Sequence, residues 1–311
     1  MPKEDQTMIV LQQMTVLFLV MMIGFFAYKK DIIDSATSKK LSSIVVNIAN
    51  PAMILSGVIG DTSQIQGNDL LITVTASIVL YLILLLIGTV LPNLLHVPKK
   101  SAGVYSVMTI FSNIGFMGFP IISAVYGSGA LLYASIFLIP YNILIYTYGI
   151  QMMQQGEKET FQWKKVINIG VVFCIISIFL FITNIPLPNW VKSTITTLSN
   201  MTAPLSMMVI GSSFATMNLK ELFCDKKLLI FSAIKLLILP IAGTLLAKQW
   251  IDNWALCGVI MIMLSTPVGS MTAMLAQEYQ GDYALASKGV AITTILSVAT
   301  IPIVSALVMN G

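Results

Sequence analysis

Residues 112–120 read Ser-Asn-Ile-Gly-Phe-Met-Gly-Phe-Pro, and residues 265–270 read Ser-Thr-Pro-Val-Gly-Ser. Each cluster lies about ten to twelve residues into an otherwise apolar segment, which at 1.5 Å per residue is near the middle of a membrane helix. Glycine and proline weaken or interrupt the helical hydrogen-bond ladder. Because freed backbone groups are tolerated inside a membrane only where protein or a water-filled cavity satisfies them, the clusters predict two broken helices beside a cavity.

The composition of the whole chain places these segments in a membrane protein. The 311 residues are 57% hydrophobic and 10% charged, with a mean hydropathy of +0.88. A soluble domain carries roughly 25% charged residues, and a disordered chain also requires polarity and charge. Soluble globular and disordered classes are therefore excluded, and the composition predicts an all-α polytopic protein of the lipid bilayer.

Ten apolar segments are long enough to cross about 30 Å of hydrocarbon. The fourth and fifth are divided only by residues 126–129, Tyr-Gly-Ser-Gly, which is a tight-turn signal. The predicted spans cover residues 8–28, 41–60, 70–92, 103–125, 130–152, 166–184, 193–217, 228–248, 255–277 and 284–308.

The lysines predict the orientation of these spans. Thirteen lysines fall in loops on one side, and three fall on the side that includes the N-terminus. Since positively charged loops stay in the cytoplasm, both termini are expected on the extracellular side of the cell membrane. The alternation also supports the number of spans, because adding or removing one helix would scramble it.

Matching motifs indicate two repeats. Residues 47–51 and residues 200–204 each follow an Asn-x-x-x-Pro pattern, 153 residues apart, and the same offset relates Ser112 to Ser265. Five spans per repeat, an odd number, place the repeats in opposite orientations, an arrangement typical of secondary carriers. The predicted organisation is a first repeat at 1–152, a short cytoplasmic connector at 153–165, and an inverted second repeat at 166–311.

The two clusters supply a candidate site for a small anion. Thr266 and Pro267 read as an N-cap and a first helical residue, and Ser112 or Asn113 would cap the second half of the fourth span. Two half-helix N-termini, each with about half a positive charge, would then meet near the midplane and bind an anion. Close helix packing and interhelical hydrogen bonding are alternative explanations for these glycines, prolines and asparagines. The candidate substrate-binding residues are Ser112, Asn113, Gly115, Ser265, Thr266, Pro267, Gly269, Lys235, Asn47 and Asn50.

Lys235 is the only charged residue predicted inside a span, about seven residues from the start of the eighth. A lysine at the centre of a membrane helix costs about 2.5–3.5 kcal/mol, so the position requires a compensating interaction. Two interpretations are compatible with the sequence: Lys235 attracts an anionic substrate or releases a proton during the cycle, or it snorkels to the cytoplasmic interface. Because no Asp or Glu is predicted inside a span, a carboxylate ligand is favoured over a cation. Ser232 leaves a Ser–Lys dyad of a membrane-embedded enzyme formally open.

Other chemistries lack the residues that they require. The three cysteines are scattered without metal-ligand or Cys-x-x-Cys spacing, and His96 is the only histidine. The sequence therefore predicts no catalytic residue, metal site or cofactor. Every basic residue is a lysine, without interleaved aromatic residues, and so nucleic acid is not an expected partner.

The chain resembles the auxin efflux carrier family, which includes plant auxin exporters and bacterial malate and malonate permeases. The similarity spans nearly the whole chain and is strongest in residues 40–51, 113–127, 235–240 and 267–279. The resemblance implies a 5+5 inverted repeat with crossover helices in spans 4 and 9. It also implies a scaffold domain formed by spans 1, 2, 6 and 7, a moving domain formed by the others, and often a homodimer.

Two residues carry over from the family pattern. Asn113 matches its crossover asparagine, and Pro267 matches the crossover proline of the ninth span. Ser112 stands where the plant carriers have proline, so a milder break is expected in the fourth span. The connector at 153–165 replaces the long cytoplasmic loop of many plant members, and it fits a bacterial organic-acid permease better than a hormone exporter.

These features together predict a secondary active transporter that moves a small organic anion by alternating access. A malate-like dicarboxylate is the first expected substrate, with Asn47 and Asn50 on the wall opposite the crossovers. A proton gradient, a sodium gradient or the membrane potential would drive the cycle. The alternatives are a sodium-coupled symporter of the bile-acid type, which requires an oxygen cage at the crossovers, and a channel or membrane-embedded enzyme.

Overall fold

The computed structural model describes residues 3–59, 67–154, 167–216 and 223–309, and within these ranges the chain is helical without β-strands. Most of the predicted connector, residues 155–165, lies outside the described residues. The helices are α1 (Lys3–Lys29), α2 (Ser35–Ile59), α3 (Gly67–Leu94), α4 (Lys99–Ile110), α5 (Ile114–Tyr126), α6 (Ala130–Met153), α7 (Ile169–Thr183), α8 (Asn189–Ser199), α9 (Thr202–Ala215), α10 (Lys226–Ala247), α11 (Trp254–Ser265), α12 (Ser270–Glu278) and α13 (Tyr283–Met309).

Six helices in the described part of the chain are long and apolar enough to cross a membrane: α1, α2, α3, α6, α10 and α13. Each corresponds to one of the predicted spans. Their outer faces expose large apolar side chains such as Leu82, Leu86 and Leu307. Contiguous apolar surface of this kind is stable against lipid and unstable against water. The protein is thus a multi-pass membrane protein.

The other four predicted spans contain shorter helices. The span at 103–125 is divided between α4 and α5, and the span at 255–277 between α11 and α12. The span at 166–184 contains α7, which has 15 residues. The span at 193–217 is divided between α8 and α9, where the sequence predicts a continuous helix.

The break between α8 and α9 lies at Asn200 and Met201, just before Pro204. Proline has no N–H to donate to the carbonyl four residues earlier, which here belongs to Asn200. The repeat-related Pro51 lies in α2, where the π-helical turn Val45–Ala49 precedes it and the helix continues. The two Asn-x-x-x-Pro motifs therefore have different local structures.

Acidic and amide side chains cap several helix N-termini. Asp34 accepts a hydrogen bond from the Thr37 N–H at the start of α2, and hydrogen bonds from Thr37 hold the pKa of Asp34 below its usual range. Asn168, Asp225 and Asn253 cap α7, α10 and α11 in the same way. Such caps contribute about 1 kcal/mol each. By contrast, α5 and α12, which begin at the two predicted breaks, have no side-chain cap.

Two groups of helices can be distinguished, of which the first contains α1, α2, α7, α8 and α9. α1, α2, α7 and α9 also pack against helices of the second group. α1 and α9 are in direct backbone contact: a Cβ on Gly24 would overlap the Met208 backbone, and a Cβ on Gly211 would overlap the Met21 carbonyl. Hydroxyl hydrogen bonds join α2 to α7, α8 and α9. Small residues and hydroxyls are the usual means of close helix association in membranes.

The second group contains α3, α4, α5, α6 and α10 to α13. A Cβ on Gly289 of α13 would overlap the Met108 side chain of α4. At one end of the group, Asp69 of α3 accepts hydrogen bonds from Tyr133 of α6 at 3.2 Å and from Asn253 of α11 at 3.0 Å. Three helices are therefore joined around one carboxylate.

Candidate functional site

The two breaks lie side by side and are joined by main-chain hydrogen bonds. The Asn113 N–H donates to the Pro267 carbonyl at 2.8 Å, and the Gly269 N–H donates to the Phe111 carbonyl at 2.9 Å. The residues between them form an isolated antiparallel bridge. A Cβ at Gly269 would lie 3.1 Å from the Ser112 carbonyl oxygen, so this close pairing favours glycine.

Two helices begin at the paired breaks, and each has backbone N–H groups in its first turn without a hydrogen-bond partner among the described residues. At the start of α5, the N–H groups of Gly115 and Phe116 have no hydrogen-bond partner among the described residues. The same holds for Ser270 and Met271 at the start of α12. Aligned peptide dipoles add about half a positive charge at each N-terminus. Four donors from two helices thus lie at one site, an arrangement that binds anions.

Asn113 adds a side-chain amide to these donors. It is 4% exposed and lines a cavity, and its amide makes no hydrogen bond to any described residue. Although it occupies the N-cap position of α5, its side chain does not cap the helix. Because this unpaired amide opens into the cavity, it is available to a ligand bound there.

The cavity beside the breaks has a volume of about 550 Å³. One wall comes from α2 and the start of α7, and the other comes from α5, α6 and α12. Its lining is largely apolar with interspersed polar groups, as in most small-molecule sites. The polar lining residues are Ser42, Asn47, Asn50, Ser112, Asn113, Tyr141, Asn142, Tyr146, Asn168, Ser270, Glu278 and Tyr279.

Six of the predicted site residues line this cavity: Asn47, Asn50, Ser112, Asn113, Gly115 and Gly269. Asn50 contacts Gly115, because a Cβ on Gly115 would lie 2.9 Å from Asn50 Nδ2. The buried Asn50 Oδ1 has no hydrogen-bond partner among the described residues. Asn47 donates instead to the carbonyl and hydroxyl oxygens of Ser43, at 2.9 and 3.1 Å.

Ser265, Thr266 and Pro267 are buried at the end of α11 and do not line the cavity. The prediction that Thr266 and Pro267 begin a helix is wrong: Thr266 is the C-cap of α11, and Gly269 is the N-cap of α12. The reason lies in the tertiary structure, because the Pro267 carbonyl accepts a hydrogen bond from the Asn113 N–H. This pairing keeps the segment extended, and the next helix starts three residues after Pro267.

Lys235 is fully buried in α10 and does not line the cavity. Its Nζ donates to the Thr109 carbonyl at 3.0 Å and to Ser112 Oγ at 2.7 Å. The side chain therefore turns inward to the break between α4 and α5. Of the two interpretations of Lys235, the one in which it snorkels to the interface is excluded. Ser232 donates to the Leu228 carbonyl rather than pairing with Lys235, so the two residues form no dyad.

A family profile described as membrane transport protein matches residues 9–305, nearly the whole chain. The chain belongs to this family. The resemblance to auxin efflux carriers is thereby confirmed, and the protein is a membrane transporter rather than an enzyme.

Two archaeal transporters show how far the similarity extends. An uncharacterized transporter of Methanocaldococcus jannaschii is 24% identical over 317 residues, covering 97% of this chain and 100% of that protein. An uncharacterized transporter of Methanothermobacter thermautotrophicus is 24% identical over 302 residues, covering 93% of this chain and 95% of that protein. Both alignments are therefore nearly end to end.

The cavity of this transporter also contains residues that the sequence does not predict. Asn142 of α6 donates to the Leu138 carbonyl and accepts a hydrogen bond from Asn168, the N-cap of α7. This amide pair connects the two walls. Asn142 is detectable in the sequence as an amide inside an apolar segment, whereas the cap at Asn168 gives no signal of a site.

Both side chains and backbone contribute to the electrostatic character of the transporter's cavity. Glu278, in the last turn of α12, is the only charged residue among the described residues that line it. Positive character is supplied by the N-termini of α5 and α12 and by Lys235, which lies behind Ser112.

Proposed function

We propose that this transporter is a secondary active carrier of a small carboxylate, with ten spans arranged as inverted repeats at residues 1–152 and 166–311. In this proposal, α4–α5 and α11–α12 are the crossover spans 4 and 9, α7 is span 6, and α8–α9 is span 7. The hydrogen-bonded pairing of two breaks at matching repeat positions supports this arrangement.

The observation that carries the proposal is the free Asn113 amide beside the unpartnered N–H groups of α5 and α12. A carboxylate has two oxygens and about four lone-pair sites, which these donors satisfy. Hydrogen bonds to an ionised acceptor are roughly twice as strong as neutral ones. A cation at the same place would meet N–H donors and two positive helix ends, so an anion is favoured. A malate-like dicarboxylate is the first substrate to test.

Alternating access would come from movement of the second helix group against the first. The first group corresponds to the scaffold domain, and the cavity lies between the two groups. Its lining includes Ser42, two residues from Lys40, as well as Asn168 and Glu278 at the same predicted membrane face. In this proposal both termini lie on the extracellular side, so this end of the cavity would face the cytoplasm and the conformation would be inward-facing.

A second candidate is a sodium-coupled carrier of the bile-acid type. The observation in its favour is the buried Asn50 Oδ1, an amide oxygen without a described partner, because hard cations prefer oxygen ligands. A proton gradient or the membrane potential would drive the carrier in the absence of sodium coupling. Uptake with and without an imposed sodium gradient distinguishes these cases.

The proposal is tested by uptake of radiolabelled malate into proteoliposomes under an imposed pH or sodium gradient. Wild-type uptake is expected to saturate. Asn113→Ala removes a hydrogen bond to a charged group, which contributes about 1.5–3 kcal/mol. The apparent affinity of this variant should therefore be about 10- to 100-fold weaker. Asn200→Ala is the matched control, because Asn200 is exposed and lies outside the cavity, and it should behave as wild type.

Two results would count against the proposal. Absence of malate uptake under every gradient would exclude malate as the substrate, and the same assay would then be run with monocarboxylates. Unchanged affinity in Asn113→Ala for any transported carboxylate would show that the paired breaks are not the binding site.

A further inference from the structure

We infer that Lys235 is a positioning residue of the carboxylate site. Its Nζ donates a hydrogen bond to Ser112 Oγ from the side away from the cavity, so that the Ser112 hydroxyl proton is directed into the cavity. This inference rests on the proposed function and adds a role for a residue that does not itself touch the substrate. The Ser112–Lys235 pair would make the site bind ligand groups that accept hydrogen bonds and exclude groups that donate them.

The first step concerns the Thr109 carbonyl at the end of α4. In a continuous helix, the Asn113 N–H would donate to this carbonyl, which lies four residues earlier. The Asn113 N–H donates to Pro267 instead, which leaves the Thr109 carbonyl without its helical partner. Lys235 Nζ occupies that position, at 3.0 Å from the oxygen. The lysine therefore completes the helix end that the break leaves open, where a positive charge is favoured.

The second step concerns the Ser112 hydroxyl, whose oxygen lies 2.7 Å from the same Nζ. An ammonium group has three donors and no acceptor, whereas a hydroxyl has one donor and two lone pairs. With Lys235 in its charged form, Ser112 therefore accepts the hydrogen bond and keeps its own proton available. Ser112 lines the cavity next to Asn113, and its hydroxyl donates to no described residue. The remaining direction for its proton is the cavity.

The third step concerns the uncompensated charge. Lys235 is fully buried, and no carboxylate among the described residues lies within ion-pair distance of it. Without a counter-ion, burial disfavours the charged form of this amine, and an anion bound nearby favours it. A substrate carboxylate bound next to Ser112 would supply the missing negative charge. The same lysine thus directs the donor and favours an anion over a neutral analogue.

Equilibrium binding of radiolabelled malate tests this role with wild type, Ser112→Ala, Lys235→Met and the double variant. Each single substitution should weaken binding about tenfold, the loss expected for a hydrogen bond to a charged group. The double variant should be no weaker than Lys235→Met alone, because both remove one interaction. Losses that multiply in the double variant, or unchanged binding in Lys235→Met, would overturn the inference.

A second measurement does not depend on the identity of the substrate. After replacement of the three native cysteines, Ser112→Cys places a thiol beside the lysine, and a cationic neighbour increases its thiolate fraction. Modification by a sulfonatoethyl methanethiosulfonate reagent should slow about tenfold when Lys235→Met is added, for a shift of one pKa unit.

Asn47→Cys is the matched control, because Asn47 lines the opposite wall. Its modification rate should not change with Lys235→Met. Equal rates at Ser112→Cys with and without the lysine, or the same decrease at both positions, would contradict the inference. Failure of wild type to bind malate would remove only the proposed substrate, since the thiol measurement still tests the lysine.

Discussion

Adding one methyl group at Gly115 is expected to displace Asn50 from its place beside the cavity. The new Cβ would lie 2.9 Å from Asn50 Nδ2, whereas ordinary van der Waals contact begins at 3.4 Å. The Asn50 amide must therefore move by about 0.5 Å. Because this amide is the end of a flexible side chain beside a cavity, the cost is expected at the lower end of the overpacking range, about 1 kcal/mol. The displaced amide lies next to Gly115, whose N–H is one of the four free donors of the proposed carboxylate site, so substrate binding should weaken as well.

The assay is thermal unfolding of the purified transporter in detergent, followed by carboxylate binding. Gly118→Ala is the matched control, because Gly118 lies in the same π-helical turn and its Cβ would meet its nearest neighbour at 3.6 Å. The control should keep or raise the melting temperature, since alanine is favoured over glycine in helices by about 1 kcal/mol. Gly115→Ala gains the same helix propensity but must also displace the Asn50 amide, so its melting temperature should lie below that of Gly118→Ala.

Shortening the opposing side chain gives the decisive comparison. In an Asn50→Ala background the clash is absent, so adding Gly115→Ala should cause little further loss of stability. An equal loss in both backgrounds would refute the reasoning, because the contact between α2 and α5 would then not be the cause.

Three further predictions concern other parts of the molecule. Gly211→Ala should strongly lower the melting temperature, because its Cβ would overlap the Met21 carbonyl; a stable variant would contradict the close contact of α1 and α9. Asn253→Ala removes the cap of α11 and a hydrogen bond to Asp69, and should cost about 1–2 kcal/mol, whereas Asn253→Ser should retain part of the cap. Maleimide should label one thiol per folded chain, the exposed Cys224, and labelling that persists in Cys224→Ser would show that a buried thiol is accessible.

The sequence predicts most of the helices because each apolar segment carries its own signal. The segment predicted at 8–28 contains the helix Met8–Lys29, and that predicted at 284–308 contains Tyr283–Met309. The breaks between α4 and α5 and between α11 and α12 lie at the glycine and proline clusters that predict them. The start of α12 cannot be predicted from its local sequence. The extended segment before Gly269 is held by main-chain hydrogen bonds to residues far away in the sequence. Local cap patterns contain no information about that partner.

The site is predicted only in part for the same reason. Ser112, Asn113 and Gly269 are recognisable because they lie in the clusters themselves. Asn142 and Asn168 belong to the wall through a hydrogen bond between two different spans, which no single segment reveals. Lys235 stands out as a buried charge, but its partners, a carbonyl and a hydroxyl at the end of α4, are determined by tertiary packing.

In the proposed carrier, the main-chain bridge between the two broken helices would separate the binding of a carboxylate group from the selection of the molecule that bears it. Peptide groups of Asn113, Pro267 and Gly269 make the bridge, and the donors that follow it are peptide groups too, so most substitutions leave both in place. The walls from α2, α6 and α7 are made of side chains, which single substitutions reshape. A carrier built this way would keep the same binding site for the carboxylate group while related proteins transport different substrates.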